Sequence, residues 1–211
     1  MKESASNRVL GAAKALNAAL RELKRPYLVI GGIAVIARGA ARFTADVDAT
    51  VWAEGLAFED LVDVLSRHGI HGRIPDLFDF ARENQVLLLV HKSTRTEVDV
   101  SLGWLPFERE AMRRATHVSF GRARIPTATA EDLIVLKALA WRDKDRIDIE
   151  HLAGLYGRRL DLRYILRHVT QLAELADLPE RSRELEMLIR RTAGGPLRSR
   201  KPARKRRHKK T

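Results

Sequence analysis

The sequence feature that most constrains the fold is a glycine pair, Gly31-Gly32, placed directly after a short apolar run at residues 27–30. An apolar run of this length that ends in glycine is typical of a buried strand that meets a tight turn. Residues 33–38 then predict a short helix, which Gly39 closes. Such a turn exposes backbone N–H groups at the start of a helix, and groups of this kind bind phosphate. The pair therefore predicts a strand–turn–helix unit with a phosphate-binding backbone.

Two aspartates follow the glycine pair at a spacing that suits a metal ion. Asp46 and Asp48 lie in residues 46–51, where polar and apolar residues alternate, and this pattern predicts a strand with one face towards a cleft. Side chains two residues apart on a strand share a face, so both carboxylates lie on the same side. Because neighbouring carboxylates repel unless a cation lies between them, we expect an ion here. Mg²⁺ takes oxygen ligands, commonly one or two carboxylates with substrate phosphates, and Mn²⁺ is an alternative.

A later pair of strands supplies a third carboxylate. Residues 85–91 and 96–102 are β-like and are separated by four polar residues, which predicts a hairpin. Glu97 and Asp99 share one face of its second strand. Either residue could complete a site for two ions roughly 3.5–4 Å apart. From the residues alone, Glu97 could be the third ligand or simply an exposed neighbour of Asp99.

The remaining sequence predicts a mixed α/β core followed by helices. Amphipathic helices are predicted at residues 4–23, 58–67 and 106–115, and a short pair of strands at residues 116–125. Residues 129–132 have the form of a capping box ahead of an apolar run, and helical patterns continue to about residue 191. The expected organisation is an α/β core over residues 1–126, a helical C-terminal region over residues 127–192 and a disordered basic tail over residues 193–211.

The positive charge of the chain is concentrated in its last residues. The net charge is +12, but residues 196–211 contain nine Lys/Arg and no acidic residue, and the rest is nearly balanced. A block of like charge is expected to stay disordered and to attract polyanions, so the tail is either an RNA-binding arm or a solubilising extension. The chain has no cysteine, which excludes disulfides and thiolate metal sites. We see no signal peptide or membrane span, and expect a cytoplasmic protein without membrane association.

The order of these motifs resembles the DNA polymerase β-like nucleotidyltransferase superfamily, and the finer pattern is similar to its AbiEii/AbiGii-type toxin branch. The resemblance covers residues 25–155 and consists of two blocks. The first contains Gly31-Gly32, Arg38-Gly39, Arg42-x-Thr44-x-Asp46-x-Asp48 and Glu97-Val-Asp99, and the second contains residues 129–137 and Arg142-Asp-Lys-Asp145 with Asp148. Most polymerase-like relatives have Gly-Ser at the glycine motif. Gly-Gly, which offers no hydroxyl to a phosphate, occurs in the toxin branch.

The resemblance implies a nucleotidyltransferase fold, a small mixed sheet flanked by helices, and a role for each matched residue. Asp46, Asp48 and Asp99 would be catalytic and would bind Mg²⁺. Lys137, on a later helix, would also be catalytic and would contact the phosphates of a nucleoside triphosphate. The residues that would bind the nucleotide are Gly31, Gly32, Arg38, Arg42, Thr44, Lys137, Lys144, Asp145 and Asp148.

The residues by themselves leave other readings open. Arg38 and Arg42 could pair with the carboxylates instead of touching nucleotide. Lys137 lies in an apolar helix and could extend its ammonium group to the surface. The charged residues of 144–148 could form local ion pairs within a helix.

The resemblance implies a Mg²⁺-dependent enzyme that moves a nucleotide from a nucleoside triphosphate to an RNA acceptor, tRNA first. Members of the branch are usually paired with an antitoxin, so the chain would be the toxin of a toxin–antitoxin or phage-defence pair. Asp99 is the best candidate for a base that activates the acceptor hydroxyl. Two alternatives remain: an AMPylating enzyme that modifies a protein side chain, and a non-catalytic protein that binds nucleotide or RNA. The intact set of three aspartates argues against the second alternative.

Overall fold

A computed structural model of the protein describes residues 4–192. Within this range the chain forms one mixed sheet with helices packed on it, so the predicted α/β fold class is confirmed. The strands are β1 (Tyr27–Ile30), β2 (Asp46–Trp52), β3 (Ile70–Gly72), β4 (Val86–His91), β5 (Thr96–Gly103), β6 (Thr116–Phe120) and β7 (Ala123–Thr127). The helices are α1 (Ala5–Glu22), α2 (Gly31–Ala37), α3 (Phe58–Arg67), α4 (Leu77–Asn84), α5 (Pro106–Arg114), α6 (Ala130–Ala140), α7 (Asp143–Tyr156), α8 (Leu162–Leu175) and α9 (Arg181–Thr192).

The sheet brings together strands that are far apart in the sequence. In the described part of the chain its order is β3-β4-β5-β2-β1-β7-β6. β1 and β2 are antiparallel, whereas β2 and β5 are parallel and paired along the whole of β2, from Asp46↔Glu97 to Trp52↔Gly103. A parallel pair needs a long connection, and α3, β3, α4 and β4 provide it. The two strands that carry the predicted carboxylates are therefore direct neighbours at the centre of the sheet.

The core lies on the face of β2 and β5 opposite to the carboxylates. Val47, Ala49, Val98 and Val100 alternate with the acidic residues and have no exposed surface. The long helix α1 covers this side, since it contacts β2, β5 and β7. Burial of one set of alternating residues fixes the register, because a slip by one residue would place the carboxylates in the core.

After β7 the described chain is helical, as predicted. The apolar run of α6 is buried on nearly all sides, and α6 packs against α2, α7 and α8. Its first turn is capped as expected: the Thr129 hydroxyl accepts a hydrogen bond from the Asp132 N–H. The last strand ends at Thr127, beside the predicted boundary at residue 126, but the division into domains stays a prediction. The predicted disordered tail lies outside the described residues.

The sequence missed two elements and shifted a third. No element was predicted for residues 70–84, where β3 has three residues and α4 follows a turn. α2 begins at Gly31 rather than at residue 33, so the glycine pair forms its first turn. The hairpin of β4 and β5, with its four-residue turn, is as predicted. Among residues 4–192, no helix combines the length and apolar character that a bilayer crossing requires.

Candidate active site

The site is built around carboxylates on the exposed face of β2 and β5. The parallel register places Asp48 directly beside Asp99, and Asp46 beside Glu97. Neighbouring strands lie about 4.8 Å apart, so the Asp48 and Asp99 side chains rise from adjacent positions on one face. Glu97 is largely exposed, with 64% of its side-chain surface accessible, whereas Asp99 is 34% exposed. Asp46, Asp48 and Asp99 line a common cleft, and Glu97 lies outside it.

The glycine pair lies against these carboxylates. Gly31 has a φ of +63°, and a Cβ at this position would lie 1.8 Å from the Asp48 carboxylate oxygen Oδ2. A Cβ at Gly32 would lie 2.3 Å from the Thr44 hydroxyl oxygen. The sequence predicted glycine here for close approach to phosphate. The structure gives a further reason, because only glycine leaves room for the Asp48 and Thr44 side chains.

The cleft has a volume of about 300 Å³ and lies between the sheet and the connection from α6 to α7. One wall carries Asp46, Asp48, Asp99 and the glycine pair. The opposite wall carries charged residues from α6 and α7, namely Lys137, Arg142, Lys144 and Asp145, together with Leu133 and Leu136. Acidic and basic walls thus face each other across a small cleft, an arrangement that can hold a metal ion together with an anion.

The surroundings of Asp48 disfavour its ionised form. Burial, followed by the charges of Asp46 and Asp99, raises the pKa of Asp48 to about 6, against the opposing effect of Lys137 and Lys144. Asp46 is held differently, since the Thr44 hydroxyl donates a hydrogen bond of 2.5 Å to its Oδ1. Thr44 does not line the cleft, so it can orient Asp46 from outside the cleft. A carboxylate with a raised pKa beside two others indicates that negative charge is concentrated here.

Lys137 is already bound by carboxylates. Its ammonium group lies 2.6 Å from Asp148 and 3.1 Å from Asp145, and its side chain is only 10% exposed. Arg42 pairs with Asp148 as well, and the Arg142 Nε donates to Asp145 at 2.7 Å. Burial alone would raise the pKa of Asp145, but the hydrogen bonds from Arg142 and Lys137 lower it. Asp145 and Asp148 are thus ion-paired, but not within their own helix as the alternative predicted: their partners are Lys137 on α6, Arg142 at the N-cap of α7 and Arg42 ahead of β2.

Lys144 and Arg38 have different surroundings from Lys137. Lys144 lines the cleft, is exposed and forms no ion pair within residues 4–192. Arg38 is absent from the cleft lining: its guanidinium donates to the carbonyl oxygens of Thr127 and Ala128, each at 2.7 Å. Arg38 therefore links the C-terminal end of α2 to the connection between β7 and α6 by hydrogen bonds.

Two arginines at the site were not identified as site residues from the sequence. Arg73, just after β3, donates to the Asp99 Oδ1 at 2.5 Å. Arg142 belongs to a matched motif, but its contact with Asp145 and its place in the cleft were not predicted. Nothing in the local sequence marks Arg73, because its contact depends on the arrangement of β3, β4 and β5.

The donor atoms suit a hard divalent cation that substrate helps to bind. Within residues 4–192, no three acidic or histidine side chains are arranged as a ready-made metal cluster. Asp46 and Asp48 nevertheless offer carboxylate oxygens in one cleft, with Asp99 adjacent and one of its oxygens engaged by Arg73. Mg²⁺ is commonly held by one or two carboxylates, with phosphates completing its coordination. The residues present fit that pattern better than an all-protein site.

Comparison with known proteins gives a family and a fold. The family model described as "Nucleotidyltransferase of unknown function (DUF6036)" matches residues 7–192. Comparison with curated protein sequences finds no significant match. The solution structure of the antibiotic-resistance factor ANT(2'')-Ia is similar, with a TM-score of 0.55 and 15% identity over 83% of this chain and 96% of that one. An antigenic nucleotidyltransferase-like protein from Paracoccidioides brasiliensis has a TM-score of 0.52 and 15% identity over 84% of this chain and 93% of that one.

At such low identity the structural likeness shows the fold alone, and that fold is the predicted one. The family model and the two structures named above do not show the AbiEii/AbiGii-type branch.

Proposed function

The chain belongs to the nucleotidyltransferase family of unknown function DUF6036, and on that premise we propose that it transfers a nucleotide from a nucleoside triphosphate to an RNA acceptor, tRNA first. The observation that carries the proposal is the cleft in which three aspartates, beside the glycine pair, face Lys144 on the opposite wall. Carboxylates on one wall suit a divalent cation, and an exposed lysine on the other suits phosphate oxygens. A cation and a polyphosphate can therefore lie between the walls.

Asp46 and Asp48 are the residues that would hold the cation, with Asp99 as a third ligand. A bound Mg²⁺ would neutralise charge on the phosphates and align them for in-line displacement. The chain's own contribution is to position the groups: Thr44 orients Asp46, and Gly31 lets Asp48 approach the start of α2. Oδ2 of Asp99, which Arg73 leaves free, has two lone-pair positions, so it can contact the cation with one and is the best candidate to accept the proton of the acceptor hydroxyl with the other.

Among the lysines, Lys144 is better placed than Lys137 to bind phosphate. Lys137 is held by two buried carboxylates, and moving it to a ligand would leave Asp145 and Asp148 with less charge compensation. Lys144 is exposed in the cleft, and its charge already acts on Asp48. We therefore assign the phosphate contact to Lys144, and to Lys137 the role of holding the α6–α7 wall in place.

An RNA acceptor is supported by a basic surface formed by α1 and the β6–β7 hairpin. Residues 4–21 and 115–130 contain no Asp or Glu. Their exposed basic side chains, none of which forms an ion pair within the described range, include Lys14, Arg21, His117, Arg122 and Arg124. Arg21, His117 and Arg124 line a depression of about 410 Å³ together with Tyr27. A concave surface with uncompensated positive charge attracts a phosphate backbone.

Incubation with α-labelled nucleoside triphosphates, Mg²⁺ and total tRNA tests the proposed reaction. Label is expected on RNA with the wild type and not with Asp48→Asn. Label on protein instead of RNA would favour the AMPylating alternative, and transfer to neither would leave the RNA-transfer proposal unsupported. The toxin role rests on the resemblance alone. It predicts that expression without a cognate antitoxin arrests growth and that Asp48→Asn abolishes the arrest.

The basic surface has its own test. Reversing three charges, with Lys14, Arg21 and Arg124 changed to Glu, is expected to lower the salt slope of RNA binding by about 2, at roughly 0.7 per lost contact with a single strand. The matched control reverses three exposed basic residues elsewhere, Lys92, Arg158 and Arg163. Binding of nucleoside triphosphate alone should be unchanged in both variants. Equal losses of RNA affinity in the two variants would show that only total charge matters.

A further inference from the structure

Arg73 is bound to the backbone of the sheet independently of the carboxylate it contacts. Its backbone N–H donates to the Leu88 carbonyl at 3.1 Å, and its guanidinium Nη1 donates to the Leu89 carbonyl at 3.0 Å. The same Nη1 donates to the Asp99 Oδ1 at 2.5 Å. The side chain is 22% exposed. Because both carbonyls belong to β4, the position of the guanidinium is fixed by main chain, and Asp99 is the group whose orientation depends on the contact.

The strand order explains why this arginine reaches Asp99. β4 lies between β3 and β5, and Leu88 on β4 is the register partner of Asp99 on β5. Arg73 follows β3 and extends across β4 to the next strand. Its other terminal nitrogen, Nη2, is 3.7 Å from a Glu97 carboxylate oxygen. The guanidinium therefore lies beside both acidic residues of β5 and engages the one that lines the cleft.

We propose that Arg73 is a positioning residue of the transfer reaction, which holds Oδ1 of Asp99 and leaves Oδ2 as the oxygen that acts in the cleft. The inference rests on the role given to Asp99 in the proposed function. With Oδ1 engaged, Asp99 offers one oxygen to a cation and does not chelate it with both. Asp48 on β2 is the register partner of Asp99 on its other side. The Asp99 carboxylate therefore lies between the Arg73 guanidinium and the Asp48 carboxylate.

The geometry requires an arginine and not only a positive charge. A guanidinium is a planar fork of donors that can hold a carbonyl and a carboxylate at fixed angles, whereas a lysine ammonium is a compact charge on a flexible stem. Arg73→Lys therefore keeps the charge near Asp99 and removes the fork. Any effect of this variant reports orientation, because the net charge of the site is unchanged.

The test is a double-mutant cycle read by Mn²⁺ binding to the protein without nucleotide, measured from free Mn²⁺ by electron paramagnetic resonance. Arg73→Lys is expected to weaken Mn²⁺ binding and to lower kcat by about 10-fold each, the scale typical for loss of a residue that orients a metal ligand. In an Asp99→Asn background, Arg73→Lys should alter Mn²⁺ affinity by less than about 2-fold, because the effect of Arg73 on binding acts through Asp99. If the two residues acted independently, their effects on affinity would add. Arg82→Lys on α4 is the matched control and should leave both quantities unchanged.

Each outcome decides the proposal. Wild-type Mn²⁺ affinity in Arg73→Lys overturns it, and so does an equal loss with and without Asp99, which would show a general structural effect. Thermal unfolding midpoints are measured for all variants, and Arg73→Gln replaces Arg73→Lys if the latter does not fold. If the wild type transfers no nucleotide but the Mn²⁺ cycle behaves as expected, the proposed function fails and this inference stands. If the wild type binds Mn²⁺ only in the presence of a non-hydrolysable nucleoside triphosphate, the cycle is measured with that nucleotide. If the wild type binds no Mn²⁺ under either condition, both fail.

Discussion

Replacing Asp48 by asparagine should abolish transfer and stabilise the metal-free protein. Burial and the neighbouring carboxylates raise the pKa of Asp48 from 3.8 to about 6 in the folded state. A raised carboxyl pKa means that the folded state holds the proton more tightly than the unfolded chain, so stability falls as pH rises from about 4 to 6 and then stays level. A shift of roughly two pKa units corresponds to about 3 kcal/mol of unfolding free energy lost above pH 7.

Asparagine removes the ionisation, so the variant should regain up to that amount. The expected gain is about 3 kcal/mol near pH 7.5, about half of that near pH 5, and about 0.5 kcal/mol near pH 4. The assay is urea unfolding in EDTA at these pH values, with Asp63→Asn on α3 as control because Asp63 is exposed and outside the cleft. Stabilisation by Mg²⁺ with a non-hydrolysable nucleotide should disappear in Asp48→Asn. A loss of stability near pH 7.5, or a gain that does not shrink with falling pH, would refute the reasoning.

Three further predictions concern the two walls of the cleft and the basic tail. Lys137→Met should destabilise the fold by about 2–3 kcal/mol in thermal or urea unfolding, because it removes a charged partner from two buried carboxylates and leaves each with a single arginine. Lys144→Met should leave stability unchanged and raise the KM for nucleoside triphosphate, and the reverse pattern would contradict the roles assigned. Gly31→Ala should remove activity and lower the unfolding midpoint, because the added Cβ would overlap the Asp48 carboxylate and because φ at this position is positive. Wild-type activity and stability in this variant would disprove the close approach of Asp48 to Gly31. Deleting residues 196–211 should flatten the salt dependence of RNA binding, because it removes nine basic residues, while kcat at saturating acceptor stays constant. An unchanged salt slope would show that the tail does not bind RNA.

The local features of the site could be predicted from the sequence because their physical cause is local. Asp46 and Asp48 share a face because strand side chains alternate. On β5, the valines on either side of Asp99 identify the opposite face as the core. The glycine pair after an apolar run predicted the turn from β1 into α2. Each of these inferences involves residues within a few positions of one another.

Contacts between distant residues were decided by the tertiary structure. Asp48 lies beside Asp99 because β5 pairs with β2, and the register of that pair is fixed by burial of one face of each strand. The ion pairs of Lys137 depend on how α7 packs on α6, and the carbonyl contacts of Arg38 depend on the approach of β7 to α2. Arg73 reaches Asp99 only because a single strand, β4, lies between β3 and β5. Alternation along a strand determines which side chains share a face. Strand order and helix packing determine which of those side chains meet, and both depend on burial of the whole core at once.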